Sequence, residues 1–179
     1  MIRHQRMTFF RRSVKNMIVM VRLDERMIHG QVAIKWSRHT EVDRIIVAND
    51  EAASSPLIQK SLMMAAPSTA KTAIKDVNSS IELLKNPKAA EHKILIIVST
   101  PSDLLRIVTE VPDIPLVNVG NYGRVAAKIN AEPRKSYRKN LYAYDEEVAV
   151  LKKVIETGIK CNYQTVPDDA PEELSKILE

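Results

Sequence analysis

One cysteine and four glycines are all that 179 residues hold of either type, and aromatic residues make up 4% of the chain. A single thiol, Cys161, excludes a disulfide framework within the chain and any paired-cysteine metal or redox centre. It also suits a reducing compartment, the cytoplasm. So few glycines leave no Gly-x-x-x-x-Gly-Lys phosphate loop and no Gly-x-Gly-x-x-Gly turn, which removes ATP-using kinases and dinucleotide enzymes. His4, His29, His39 and His92 lack the spacing of helix-borne ligands, so neither a metal site nor a cofactor is expected. Apolar runs such as residues 94–98 fall far below the roughly 20 residues that cross a bilayer.

Charge of one sign is scarce once its position is considered. The formal net charge is +5 and the pI about 9.3. Arg3, Arg6, Arg11, Arg12 and Lys15 lie in residues 1–16 with no acidic neighbour, which leaves residues 17–179 formally neutral. Residues 1–16 therefore read as a basic N-terminal extension, and 17–179 as one domain large enough for its own core. A basic nucleic-acid-binding protein built on this arm and the 124–139 stretch would show salt-sensitive binding lost with residues 1–16. The neutral body and sparse aromatics argue against it, so no nucleic acid is expected as a partner.

What is present is a regular alternation of apolar β-branched runs with helical patterns. Strands are expected at 17–23, 43–48, 69–74, 93–98, 115–119, 140–144 and 159–164. Helices fill the gaps: one opened by Ser54, Ser55 and Pro56, one over 77–84, one started by Ser99, Thr100 and Pro101, one from near Asp145 to Gly158, and a short last one from Pro171. This pattern predicts a three-layer α/β/α domain with a mainly parallel central sheet of about six to seven strands.

The densest chemistry lies in residues 21–33, Val-Arg-Leu-Asp-Glu-Arg-Met-Ile-His-Gly-Gln-Val-Ala. His29 and Gly30 fall where the first strand gives way to a helix carrying Trp36 inward, the sheet edge at which open α/β folds bind ligands. A neutral imidazole can attack and later leave, which suits it to carrying a phosphoryl group. Such a group is stabilised by preorganised positive charge and N–H donors. Arg22 and Arg26 are the nearest guanidinium groups, and the backbone N–H groups of Gly30, Gln31 and Val32 open the helix. Asp24 could hold an arginine or orient the imidazole. The plain alternative is a solvated turn histidine.

The string Arg-Leu-Asp-Glu-Arg-Met-Ile-His-Gly-Gln-Val closely resembles the signature of the IIB subunits of the mannose/fructose/sorbose family of the bacterial phosphoenolpyruvate-dependent sugar phosphotransferase system. Similar segments follow in order: residues 43–53, 99–106, 117–123 and 164–169. Met27 and Tyr122 depart from the leucine and methionine more often seen there. The resemblance implies that His29 is phosphorylated by a phosphohistidine on a IIA domain. It implies that His29 then delivers the group to a sugar held by the membrane subunits IIC and IID, as a cytoplasmic protein at the membrane transporter. Arg26, Arg22 and Asp24 would assist catalysis, and Gly30, Gln31, Asn118 and Gly120 would bind phosphate. A regulatory α/β domain that keeps the motif without serving transport is the other reading.

Other residues have two readings each. Asn49, Asp50 and Glu51 either steer an arginine or cap the next helix. Asn118, Gly120, Asn121 and Gly123 either approach the phosphoryl group or form a plain turn. Ser99, Thr100 and Ser102 offer hydroxyls where capping is favoured. Arg124, Lys128, Arg134, Lys135, Arg138 and Lys139 form a solvated basic face or attract an acidic partner.

Overall fold

The computed structural model describes residues 18–179, so the expected basic extension at 1–16 lies outside the described residues. In chain order the elements are β1 (Ile18–Asp24), α1 (Gly30–Thr40), β2 (Arg44–Ala48), α2 (Asp50–Ser54), α3 (Pro56–Ala65), β3 (Lys71–Lys75), α4 (Val77–Lys85), β4 (Ile94–Val98), α5 (Pro101–Glu110), β5 (Leu116–Asn121), β6 (Lys135–Arg138), β7 (Leu141–Ala143), α6 (Asp145–Glu156), β8 (Lys160–Tyr163), β9 (Glu172–Glu173) and α7 (Leu174–Ile177). They form the expected three-layer α/β/α fold. Its seven-stranded sheet runs in the order β3-β2-β4-β1-β5-β8-β9 and is parallel except for the last pair.

Strand alternation divides the interior into two cores. Val21 and Leu23 face α4, α5, α6 and α7, as do Ile46, Ile96, Val98, Val117 and Val119. Met20, Ile45, Val47, Leu95 and Ile97 face α1, α2 and α3, which contribute Ala33, Trp36, Ala52 and Leu62. A slip in register between Ile18 and Met20 lets Ile18 join Val21 and Leu23 in one core although the residue numbers break alternation.

The chain leaves β1 toward β2 and β3, then returns through β4 to the other side of β1 and continues into β5 and β8. The crevice at the carboxyl ends of β1 and β5 thus lies where the direction of winding reverses, the place such sheets bind ligands.

Two expected elements differ. The strand anticipated at 140–144 is β7, which pairs antiparallel with β6 in a separate two-stranded ribbon. The final segment begins as the two-residue strand β9 before α7, because Glu172 and Glu173 pair with Tyr163 and Asn162 and complete the edge of the main sheet.

Candidate active site

His29 sits at the N-cap of α1 with extended backbone, and Gly30 follows at φ +46°. A side chain at Gly30 would meet open space, so glycine is required there by the backbone conformation. His29 Nε2 lies 3.1 Å from Asp24 Oδ1. The other ring nitrogen, Nδ1, is directed away from that bond, and the side chain keeps 19% exposure. Asp24 is fully buried. Burial pushes its carboxyl upward, but the His29 hydrogen bond and the Arg22 charge outweigh this and hold it below the usual carboxylate range. The ionised oxygens also accept from Arg22 Nη2 at 2.9 Å, Asn121 Nδ2 at 3.0 Å and the Arg26 backbone N–H at 3.2 Å.

Arg22 is the most unusual residue of the interior, 2% exposed on a strand where its neighbours Met20 and Leu23 are core. Alternation aims it at the α1 side of the sheet, and here β5 and β8 place polar residues beside it. Arg22 Nη1 donates to Asn118 Oδ1 and to the Gln164 carbonyl at 3.1 Å, while Nη2 also donates to the Thr165 carbonyl at 3.0 Å. Asn118 Nδ2 in turn donates to Asn162 Oδ1 at 2.8 Å. Trp36 stacks on the guanidinium at 5.1 Å and donates from Nε1 to the Thr165 carbonyl. A Cβ at Gly120 would stand 2.0 Å from Arg22 Nη2, so the close passage of Arg22 over β5 needs glycine.

Arg26 is the opposite case. It is exposed, and its guanidinium has no hydrogen bond or ion pair among the described residues. The turn from Asp24 to Met27, closed by the Met27 N–H on the Asp24 carbonyl, lifts it to the rim. Met27 itself has φ +57°, a strained conformation for a long side chain. Beside it, α1 has no side-chain cap and no acid in its first turn, whereas α2, α3, α4 and α5 are capped by Asn49, Ser55, Asp76 and Thr100. The positive end of α1 therefore faces the His29 ring without a resident anion from its own cap.

A model of the sorbose-subfamily IIB component of the phosphotransferase system (PTS) matches residues 18–179. The chain belongs to this family. It is 34% identical over 168 residues to a probable phosphotransferase enzyme IIB component of Streptococcus pyogenes, spanning 90% of this chain and 99% of that one. It is 32% identical over 153 residues to the mannose-specific EIIAB component of Escherichia coli, spanning 85% of this chain but 45% of that longer protein. Among solved structures, the IIBSor domain of the sorbose permease from Klebsiella pneumoniae shares the fold with a TM-score of 0.81 at 23% identity, covering 90% of this chain and 95% of that one. IIB components are phosphotransferases that pass a phosphoryl group to sugar, and they act with IIA and IIC/IID partners. The regulatory and nucleic-acid readings are not favoured.

Within this IIB component the structure brings His29, Asp24, Arg26, Gly30 and Gln31 together at one edge. Arg22, Asn118 and Gly120, expected at the phosphate, are placed against one another inside the sheet. Arg22 and Asn118 are buried with their polar groups engaged, and Gly120 makes room for Arg22. Nor do Asn49 and Asp50 hold an arginine: Asn49 caps α2 and donates to Ser99 Oγ, and Asp50 accepts from the Val77 N–H at the start of α4. The basic stretch is no uniform face. Arg134 is clamped by Glu147 and stacks on Tyr122 and Tyr144, while Lys135 pairs with Asp145 and Arg138 with Glu172. Cys161 is buried, which pushes its thiol up to about 11 and leaves it protonated at neutral pH. Asn121, grouped earlier with the turn residues, emerges as a direct partner of Asp24. Among the described residues no cluster could hold a metal ion, and no helix is long and apolar enough to cross a membrane.

Proposed function

We propose that this chain carries the phosphoryl group on Nδ1 of His29 in a sugar-importing phosphotransferase system of the cytoplasm. It would accept the group from a phosphohistidine on IIA and deliver it to sugar held by the membrane subunits IIC and IID. The observation that carries the reading is the Nε2 to Asp24 hydrogen bond, which engages one ring nitrogen with a buried carboxylate and leaves Nδ1 as the nucleophile. With the proton on Nε2, the Nδ1 lone pair attacks phosphorus and the donor's N–P bond breaks, its electron pair returning to the donor imidazole. The ring that results is cationic, and Asp24 stabilises it. In the second half the sugar hydroxyl attacks phosphorus, the Nδ1–P bond breaks with its pair returning to Nδ1, and the hydroxyl proton passes to water.

Each neighbour then has a role. Arg26, exposed and unpaired among the described residues, closes on the equatorial oxygens, and the N–H groups of Gly30 and Gln31 add donors at the positive end of α1. Arg22 fixes Asp24 in place, and Asn118 and Gly120 fix Arg22. No cofactor takes part. In a labelling experiment, wild-type protein should take up phosphoryl label from phosphorylated IIA while folded His29→Ala takes up none. Equal labelling of the two proteins would remove His29 from the relay.

A further inference from the structure

We propose that Glu25 is a positioning residue for the transfer step: its carboxylate, seated in a cradle of four backbone N–H groups beyond β5, fixes the height and tilt of the loop that carries Arg26 and His29. The inference rests on the reading of His29 as the phosphoryl carrier.

Five residues, Glu25 to His29, join β1 to α1. At the far end Ile28 is buried and anchors the loop to the α1 core. At the near end both parts of Glu25 are tied down. Its backbone N–H donates to the Asn121 carbonyl at 2.9 Å. Its Oε2 accepts from the N–H groups of Gly123, Val125 and Ala126 at 2.8, 3.1 and 2.9 Å, and its Oε1 from that of Arg124 at 3.1 Å. Successive N–H groups converging on one point form an anion-binding concavity, and here a side chain from the neighbouring loop fills it. Gly123, at φ +93° and with the Tyr142 carbonyl 1.9 Å from where a Cβ would stand, gives the cradle its curvature.

The cradle is itself rigid. Arg134 donates to the Ala126 and Ala127 carbonyls at 3.0 and 2.7 Å and is locked by Glu147, whose Oε1 also accepts from the Tyr122 hydroxyl at 2.7 Å. Glu25 thus links the strained turn at Met27 to a braced platform, while the side chain of Arg26, the next residue, has no hydrogen bond or ion pair among the described residues. Reacting atoms must meet within a few tenths of an ångström, and a displacement of about 1 Å is enough to cost two orders of magnitude in rate. A group that only braced the 123–126 segment would leave that geometry alone.

The test uses the full chain with phosphorylated IIA in single-turnover labelling. Glu25→Ala should fold, since the vacated N–H groups lie near solvent, yet accept phosphoryl at least about tenfold more slowly at saturating donor, with the half-saturating donor concentration changed less than about twofold. Glu25→Gln retains an oxygen for three of the four N–H groups and should recover most of the rate. Amide hydrogen exchange at Gly123 and Ala126 should quicken in Glu25→Ala. Acceptance by Glu25→Ala at the wild-type rate would overturn the proposal, as would a loss confined to the half-saturating concentration, or a loss that Gln fails to relieve. If wild-type protein takes no label from phosphorylated IIA, it is the reading of His29 that fails instead.

Discussion

Two arginines four positions apart have opposite circumstances. Arg22 is enclosed by Asp24, Asn118, two carbonyls and the Trp36 ring, whereas Arg26 stands at the rim with its guanidinium unengaged among the described residues. Their substitutions should separate cleanly. Arg26→Ala should slow phosphoryl acceptance about a hundredfold, the loss typical of one preorganised charge donor, with the melting temperature unchanged. Arg22→Met should instead remove about 3–5 kcal/mol of stability by leaving Asp24 buried without its partner, read by denaturant unfolding. An Arg26→Ala protein that transfers normally but melts early would reverse the two assignments. The sequence placed both arginines near His29, because spacing and strand end are local facts. It could not tell clamp from brace, since Asn118 of β5 and the carbonyls of residues 164 and 165, which complete the enclosure of Arg22, lie more than ninety positions away.

Among elements, α1 opens without a side-chain cap, as the short α7 does, while α2, α3, α4 and α5 each have one. Asp76 accepts from the Ser79 N–H at 2.8 Å and from its hydroxyl at 2.7 Å, and α4 carries no part of the site. Asp76→Ala should therefore lower the melting temperature by removing the cap of α4, with phosphoryl acceptance unaltered. A fall in transfer rate would show that α4 communicates with the site. Ser55 and Thr100 were readable as caps because serine or threonine before proline at a helix start is a local signal. The role of Asp50, which accepts from the first residue of a helix starting 27 residues later, was not. Nor was the β6–β7 ribbon, whose first strand, Lys-Ser-Tyr-Arg, has too little apolar alternation to declare itself.

For the whole molecule, acid is the condition that should unmake both the site and the brace. Asp24 and Glu147 are each held below their usual carboxylate range, Asp24 by His29 and Arg22, Glu147 by Arg134 and its neighbours, against the upward push of burial. A carboxyl with a depressed folded value contributes stability that is complete above its unfolded pKa, about 4, and is lost as the pH falls through the folded value. The melting temperature should accordingly decline below about pH 4, and Asp24→Asn should remove part of that slope. A melting temperature level from neutrality down to pH 2 would contradict the assignment. The alternation of strands and helices, and hence the layered fold, was legible because each element declares itself within a few residues. The polar face formed by Arg22, Asn118 and Asn162 required the order of strands, and that order emerges only when the sheet closes.

The hydrogen bond from Arg22 to the Thr165 carbonyl spans 143 residues of chain. At ribosomal speeds of about 5–20 residues per second, His29 is synthesised on the order of ten seconds before the segment that completes the support beneath it. A nascent or truncated chain would display His29 and Arg26 early, with Arg22 still lacking its last partners and Asp24 less firmly held. The support beneath Asp24 is therefore assembled only once residues 164–165 have reached the edge of the sheet.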